Sequence, residues 1–229
     1  MITKRIYLVF PPGCSGNHLA NMIALDDGVE DRFVNADEME KWYILDPTAK
    51  HPINSPMTFK GFQNLNDIDV DIVTNATKTQ ILCCHANELA RTSRLLEELL
   101  DNSVFILFSY PVKGSFVEHK HRSGPWVHGE DPDTQTFIID DPIQLEIKDA
   151  YQKDIFIKEW LVPRRKAIDP DVVFEFDTEG FHGEFGFEYA TAYIDHLFGI
   201  VLSKDAERMH QITYANWYKK WPGILKTND

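Results

Sequence analysis

A short segment near the amino terminus combines small, hydroxyl and imidazole side chains in a pattern that could hold an anion. It runs Pro-Pro-Gly-Cys-Ser-Gly-Asn-His over residues 11–18, between an apolar stretch and a segment with helical spacing. Backbone N–H groups at a helix start point toward the preceding loop, and the helix dipole adds partial positive charge there. The residues concerned are Gly13, Cys14, Ser15, Gly16, Asn17 and His18. The segment is therefore a candidate phosphate-binding loop, or a tight turn whose glycines serve only the backbone geometry.

A second candidate is His85, which directly follows the apolar run Gln80–Cys84. If that run is a strand parallel to the first one, His85 lies at the same sheet edge as the 11–18 loop. Ligands of open parallel sheets bind at this edge, beyond the carboxyl ends of the strands. A neutral imidazole there could accept a proton from a hydroxyl nucleophile. The alternative is a histidine that caps a helix or faces solvent.

The third candidate is the one dense basic stretch of the chain. It follows the apolar run 103–110 and contains Lys113, Lys120 and Arg122 together with two histidines. Lys and Arg side chains pair readily with phosphate oxygens. The stretch therefore either holds a phosphate or forms the solvated face of a helix.

The elements that must position these candidates alternate between strands and helices. Apolar runs predict strands at 5–10, 70–73, 80–84, 103–110, 137–139 and 172–176. Apolar spacing of three and four residues predicts helices at 18–25, 86–102, 142–166, 188–198 and 204–220, the last capped by Ser203. Strand–helix–strand order at these lengths predicts a parallel sheet covered on both faces. We predict one α/β domain over residues 1–229, with three layers, a central, mostly parallel sheet and a P-loop-like first strand, loop and helix.

The amino-acid composition limits the classes of partner that the protein is expected to bind. The 229 residues include 23 Lys and Arg against 36 Asp and Glu, which gives a net charge of -13. Such a field repels phosphate backbones and anionic lipids, so we expect no nucleic-acid or membrane partner. No stretch reaches the roughly 18 apolar residues of a membrane span. The three cysteines form no disulfide framework, and the apolar run at 6–10 is too short for a signal peptide. We therefore expect a cytoplasmic protein.

The order of these motifs resembles the sulfotransferases that use 3′-phosphoadenosine 5′-phosphosulfate. In that family a Pro-Lys/Arg-Ser-Gly-Ser/Thr-Ser/Thr loop follows the first strand, and Ser15 and Gly16 match its Ser-Gly, with Cys14 at the basic position. A later strand leads to Lys-Thr-His, which 81–85 resembles in keeping the His without the Lys. A third leads to Arg-Asp/Asn-Pro-Arg-Asp, which 109–113 resembles in its proline, with Ser109 at the position of the first Arg.

The resemblance implies an enzyme that moves a sulfuryl group from 3′-phosphoadenosine 5′-phosphosulfate to a hydroxyl or amine acceptor, in line and without a metal. By analogy His85 is the catalytic base, and His18 adds a proton or a hydrogen bond. The implied donor-binding residues are Gly13, Cys14, Ser15, Gly16, Asn17, His18, Ser109, Lys113 and Arg122. The acceptor is expected to be a small molecule or a glycan, bound by segments 26–68 and 123–141. The sequence does not set the oligomeric state.

Two other functions remain open. One is a P-loop-like kinase or phosphotransferase, although no Lys follows Gly16 as the GxxxxGK[ST] pattern requires. The other is a degenerate domain without catalysis that binds a nucleotide or a protein. Selective stabilisation by adenosine 3′,5′-bisphosphate, and not by ATP, would distinguish the sulfotransferase from both.

Overall fold

The structure is a computed structural model, and it describes residues 5–11, 14–26, 28–29, 78–84, 103–115, 117–118, 149–161 and 170–220. The strands predicted at 70–73 and 137–139 and the helix predicted at 86–102 lie outside these residues. In the described part of the chain, no helix combines the length and the apolar character that crossing a bilayer requires.

Four parallel strands form the centre of the described fold. They are β1 (Arg5–Val9), β2 (Gln80–Cys84), β3 (Ser103–Phe108) and β4 (Val173–Phe176), in the spatial order β2-β1-β3-β4. All three pairings are parallel, as the sequence predicted. The runs are nearly continuous in apolar residues because helices cover both faces of such a sheet. The α/β class with a parallel sheet is confirmed.

The register aligns the carboxyl ends of three strands. Val9 at the end of β1 pairs with Cys84 on one side and with Leu107 on the other. The chain therefore leaves β1, β2 and β3 at one edge of the sheet. Since β1 lies between the two strands that follow it in the sequence, the order reverses at β1 and β3. Ligands of open parallel sheets bind at such a reversal.

One face of the sheet is covered by four helices. They are α1 (Gly16–Ala24), α3 (Thr178–Phe181), α4 (Gly186–Phe198) and α5 (Lys204–Lys220), whereas α2 (Lys153–Ile155) lies on the other face. The apolar side chains on this face form one buried cluster, which includes Ile6, Leu8, Ile106, Phe108, Phe176, Leu19, Ile23, Phe181, Ile194 and Met209. This cluster is the main core, and it fixes α1 directly behind the end of β1.

The other face is covered by the segment around Phe156. Tyr7 stacks on Phe105 with ring centroids 4.9 Å apart, and Phe105 lies 5.8 Å from Phe156. The single helix predicted at 142–166 is wrong, because Gln152 is extended (φ -87°, ψ 131°) and α2 covers only Lys153–Ile155. The chain continues as a π-helix over Phe156–Leu161. Phe156 and Leu161, five residues apart on this wider turn, are both buried.

The carboxyl-terminal helices begin and end close to their predicted bounds. Gly199 ends α4 in the left-handed conformation (φ 66°), which a glycine adopts without steric cost. The Ser203 hydroxyl accepts a hydrogen bond from the Ala206 N–H at 3.2 Å and so caps α5, as predicted. The short helix α3 was not predicted. Its Asp177 cap accepts from the Glu179 N–H at 3.1 Å.

Candidate functional site

The loop between β1 and α1 turns sharply at Ser15. The Cys14 N–H donates to the Pro11 carbonyl at 3.2 Å, and Ser15 has φ 62° and ψ 24°. Ser15 is the only non-glycine residue with a positive φ in the described part of the chain. A left-handed L-residue costs about 1–2 kcal/mol. This turn lets α1 begin at Gly16, so the amides of Gly16 and Asn17 lie near the end of β1, whereas the His18 N–H donates to the Ser15 carbonyl at 2.9 Å.

Gly16 is required by a close approach. A Cβ at this position would lie 1.9 Å from a ring carbon of Phe10. The Phe10 ring is buried and meets the ring of Phe108 edge-on at 5.7 Å. Gly16 therefore lets the first turn of α1 rest on the residue that follows β1.

Ser15 is held by a histidine from the other end of the chain. Its Oγ lies 3.0 Å from His182 Nε2, and His182 Nδ1 lies 2.8 Å from the Thr178 carbonyl oxygen. Because a carbonyl oxygen only accepts, Nδ1 carries a proton, and in the neutral ring Nε2 accepts from the Ser15 hydroxyl. His182 is not among the residues predicted from the sequence. No spacing rule could have found it, since 167 positions separate the two residues.

The Ser15–His182–carbonyl arrangement has the hydrogen-bond geometry of a nucleophile, its base and an orienting group. Burial points to a different use. Ser15 is 1% exposed and His182 is 2% exposed, so neither side chain presents a surface to a reacting atom in this conformation. The hydrogen bond between Ser15 and His182 therefore stabilises the conformation of the β1–α1 loop and does not activate a nucleophile in this conformation.

His18, predicted as a second catalytic residue, lies in the contact between α1 and α5. Its Nε2 is 3.2 Å from His210 Nδ1, and the two rings stack with centroids 5.3 Å apart. Both residues are buried. Burial lowers the pKa of His210 from 6.5 to about 4, so its ring is neutral near pH 7. A buried histidine pair thus joins the first helix to the last.

Ser109, predicted to bind the donor, joins the ends of β3 and β4. Its hydroxyl accepts from the Thr178 N–H at 3.0 Å, and its carbonyl accepts from the Thr178 hydroxyl at 2.6 Å. The loop that follows is held by Glu179, whose carboxylate accepts from the Val112 N–H and the Ser115 hydroxyl. Lys113 is exposed at the turn of this loop. The loop after β3 is thereby fixed against α3.

The structure brings several predicted residues to one sheet edge. Cys14, Ser15 and Gly16 follow β1, and Ser109 follows β3. Cys14 is fully buried, and of Asn17 only the backbone is described. Three further predicted site residues, Gly13, His85 and Arg122, lie outside the described residues. The predicted role of His85 stays a prediction, although it directly follows Cys84, which pairs with Val9.

A cavity of about 530 Å³ lies beside the ends of β3 and β4, on the face opposite α1. Its lining residues are Leu107, Ser109, Tyr110, Tyr151, Gln152, Lys153, Asp154 and Glu175. The Tyr151 hydroxyl donates to the Phe10 carbonyl at 3.0 Å, which connects the cavity wall to the end of β1. The volume is typical of small-molecule sites. Among the residues with described positions, no three His, Cys, Asp or Glu side chains are grouped as metal ligands.

Comparison with known proteins assigns no family to this chain. No family model, no curated protein and no solved structure matches it. The functional argument therefore depends on the geometry of the sheet edge and of the residues around it.

Proposed function

We propose that the protein is a sulfotransferase-like enzyme that binds a phosphosulfate nucleotide at the carboxyl ends of β1 and β3. One observation carries the proposal. The β1 strand lies at the order reversal of a parallel sheet, and a left-handed turn at Ser15 starts α1 directly behind it. This is where open α/β sheets bind ligands, and a helix amino terminus there favours an anion.

The anion would be held by local groups rather than by the overall field. The net charge of -13 repels a phosphate at long range. The N–H groups of Gly16 and Asn17, together with the α1 dipole, offer donors at the start of the helix, since the His18 N–H donates to the Ser15 carbonyl at 2.9 Å. Lys113, on the loop after β3, adds an exposed cation on the side of Ser109. Such a site selects a ligand with concentrated negative charge.

The proposed reaction is an in-line transfer. The acceptor oxygen or nitrogen attacks the sulfur, the bond from sulfur to the phosphate oxygen breaks, and adenosine 3′,5′-bisphosphate leaves. The proton of the acceptor passes to His85, the proposed general base. The loop N–H groups stabilise the charge that develops on the leaving phosphate. No metal is required in this scheme.

We propose that the cavity between β3, β4 and α2 forms part of the acceptor site. The half-buried Tyr110 offers an aromatic surface on which a sugar or another ring can pack, and its ring centroid lies 6.2 Å from that of the buried Tyr151. Glu175 and Asp154 add carboxylate acceptors to its lining. This composition suits a small molecule or a glycan unit with free hydroxyl or amine groups.

Nucleotide binding is the first test. Adenosine 3′,5′-bisphosphate at a hundredfold excess over its dissociation constant should stabilise the folded protein by about 2.7 kcal/mol, which a thermal-shift titration detects readily. ATP and NADH are the controls and should give a much smaller shift. A shift with ATP alone would favour the phosphotransferase. No shift with any of the three at millimolar concentration would refute a nucleotide site.

Catalysis is the second test. With radiolabelled donor and a panel of hydroxyl and amine acceptors, the His85→Ala variant should lose turnover while its affinity for adenosine 3′,5′-bisphosphate stays near that of the wild type. Equal loss of turnover and of binding would remove His85 from the role of base. The Ser203→Ala variant, far along the chain in the α5 cap, is the control for nonspecific destabilisation.

A further inference from the structure

We infer that His182 is a positioning residue, whose hydrogen bond to Ser15 holds the β1–α1 loop in the conformation that aims the first amides of α1 at the anion. The identity of the anion rests on the proposed function, whereas the positioning of the loop is inferred from two contacts. These are Ser15 Oγ to His182 Nε2 at 3.0 Å and His182 Nδ1 to the Thr178 carbonyl at 2.8 Å.

The reason for such a contact is the backbone of Ser15. An L-residue disfavours the left-handed region because its Cβ approaches the following carbonyl oxygen. Non-glycine residues remain there only where the surroundings determine the conformation. The Ser15 side chain is 1% exposed, so a directed hydrogen bond inside the protein can supply that determination. The amides of Gly16 and Asn17 depend on it, because their direction is set by the φ and ψ angles of Ser15.

His182 is itself firmly placed. It ends α3, its ring donates to the Thr178 carbonyl, and it lies against the ring of Phe181 at 5.5 Å. Thr178 is bonded to Ser109 after β3. Through His182 and Thr178, the loop after β1 is therefore held in a fixed position relative to the end of β3. Those are the two strands that border the proposed anion site.

Two substitutions of His182 and one of Ser15 test the role. His182→Gln places an amide near the position of Nε2 and can still bond to Ser15, whereas His182→Leu cannot. Ser15→Gly removes the hydroxyl and also the steric cost of the left-handed conformation. The readouts are the dissociation constant of adenosine 3′,5′-bisphosphate by calorimetry and amide hydrogen exchange of the peptide that covers residues 10–19.

We expect the effect of a His182 substitution on affinity to depend on which residue occupies position 15. His182→Leu should weaken binding about tenfold, as the loss of one hydrogen bond that preorganises the loop would do, and His182→Gln should retain most of the affinity. In the Ser15→Gly background, His182→Leu and His182→Gln should bind equally. A merely structural histidine would lower the unfolding temperature in both backgrounds and would leave the ratio of affinities unchanged.

Each contrary outcome has a distinct meaning. If wild type binds the bisphosphate and His182→Leu binds it equally well, the positioning role is wrong and the proposed function stands. If the wild type does not bind the bisphosphate, the proposed function fails. Hydrogen exchange then tests by itself whether His182 positions the loop. Faster exchange of residues 10–19 in His182→Leu, reversed in His182→Gln, would support the positioning of the loop. Equal exchange in all variants would overturn it.

Discussion

At the residue scale, two histidines from the last quarter of the chain contact two residues of the first loop and helix. His182 bonds to Ser15, and His210 bonds to His18. The Phe181 ring lies 5.9 Å from His18 and 5.3 Å from His210, so the pair is enclosed by apolar surface. The two contacts differ in their expected effects. The first sets the geometry of a loop, and the second makes the docking of α5 sensitive to protonation.

We predict that the protein loses stability as the pH falls from about 6.5 to about 4. Burial lowers the pKa of His210 from 6.5 to about 4, so within this window the unfolded chain binds a proton that the folded chain excludes. The stabilisation is complete above pH 6.5, and up to about 3 kcal/mol is lost on acidification. Urea unfolding at a series of pH values measures it.

The side chains next to His210 determine the choice of variants that test this pH dependence of stability. His18 and Tyr214 are the titratable side chains whose rings lie next to it. Because the His210→Gln variant lacks this imidazole, its free energy of unfolding should fall less steeply between pH 6.5 and pH 4 than that of the wild type. His196→Gln, at an exposed position in α4, is the matched control and should keep the wild-type slope. Identical slopes for His210→Gln and wild type would contradict the prediction.

At the element scale, close backbone approach determines how α1 and α4 pack. Gly16 rests on the ring of Phe10, and Gly186 lies against the Phe181 carbonyl and the imidazole of His210. The two glycines thus bring the loop after β1, the end of α3 and the face of α5 into contact. Larger residues at either position would separate the elements that carry the proposed site.

We predict that Gly16→Ala destabilises the protein by about 1–3 kcal/mol, because the added Cβ would lie 1.9 Å from the Phe10 ring. Gly186→Ala should cost more, since its Cβ would lie 2.0 Å from a backbone carbonyl oxygen, which cannot rotate away. Chemical denaturation of both variants measures the difference.

Phe10→Leu provides the control for Gly16. The smaller side chain makes room, so the double variant should be more stable than the sum of the single effects predicts. Additive effects would mean that the Phe10 ring is not the obstacle.

At the scale of the whole molecule, an acidic chain is proposed to bind an anion. The net charge of -13 opposes the approach of polyanions at any point of the surface. A small anion can still bind where helix amides and one or two cations are concentrated at a sheet edge. The fold places such an edge at β1 and β3.

We therefore predict that duplex DNA of random sequence does not bind at protein concentrations up to about 100 µM in 50 mM salt, where basic proteins bind nonspecifically. Fluorescence anisotropy of a labelled duplex measures this, with adenosine 3′,5′-bisphosphate binding followed on the same preparation. DNA binding that weakens steeply with salt would show a basic surface and would contradict the expected absence of a nucleic-acid partner.

The sequence by itself determined the elements whose information is local. The strands at 5–9, 80–84 and 103–108 follow from continuous apolar runs, and their parallel arrangement follows from the segments between them. Gly199 and Ser203 mark helix ends because a left-handed glycine and a capping hydroxyl act on adjacent backbone groups. The helix predicted at 142–166 failed because contacts of Tyr151 and Phe156 with the sheet outweigh local propensity.

Only the tertiary structure decided which side chains meet. Ser15 and His182 are 167 positions apart, and His18 and His210 are 192 positions apart. A hydrogen bond between such residues depends on the path of every intervening element, and residue types at either end do not encode it. Likewise the order β2-β1-β3-β4, which places the first loop at the reversal, arises from crossovers rather than from any strand's own sequence. Local physics thus set the elements, whereas the chain path assembled the site.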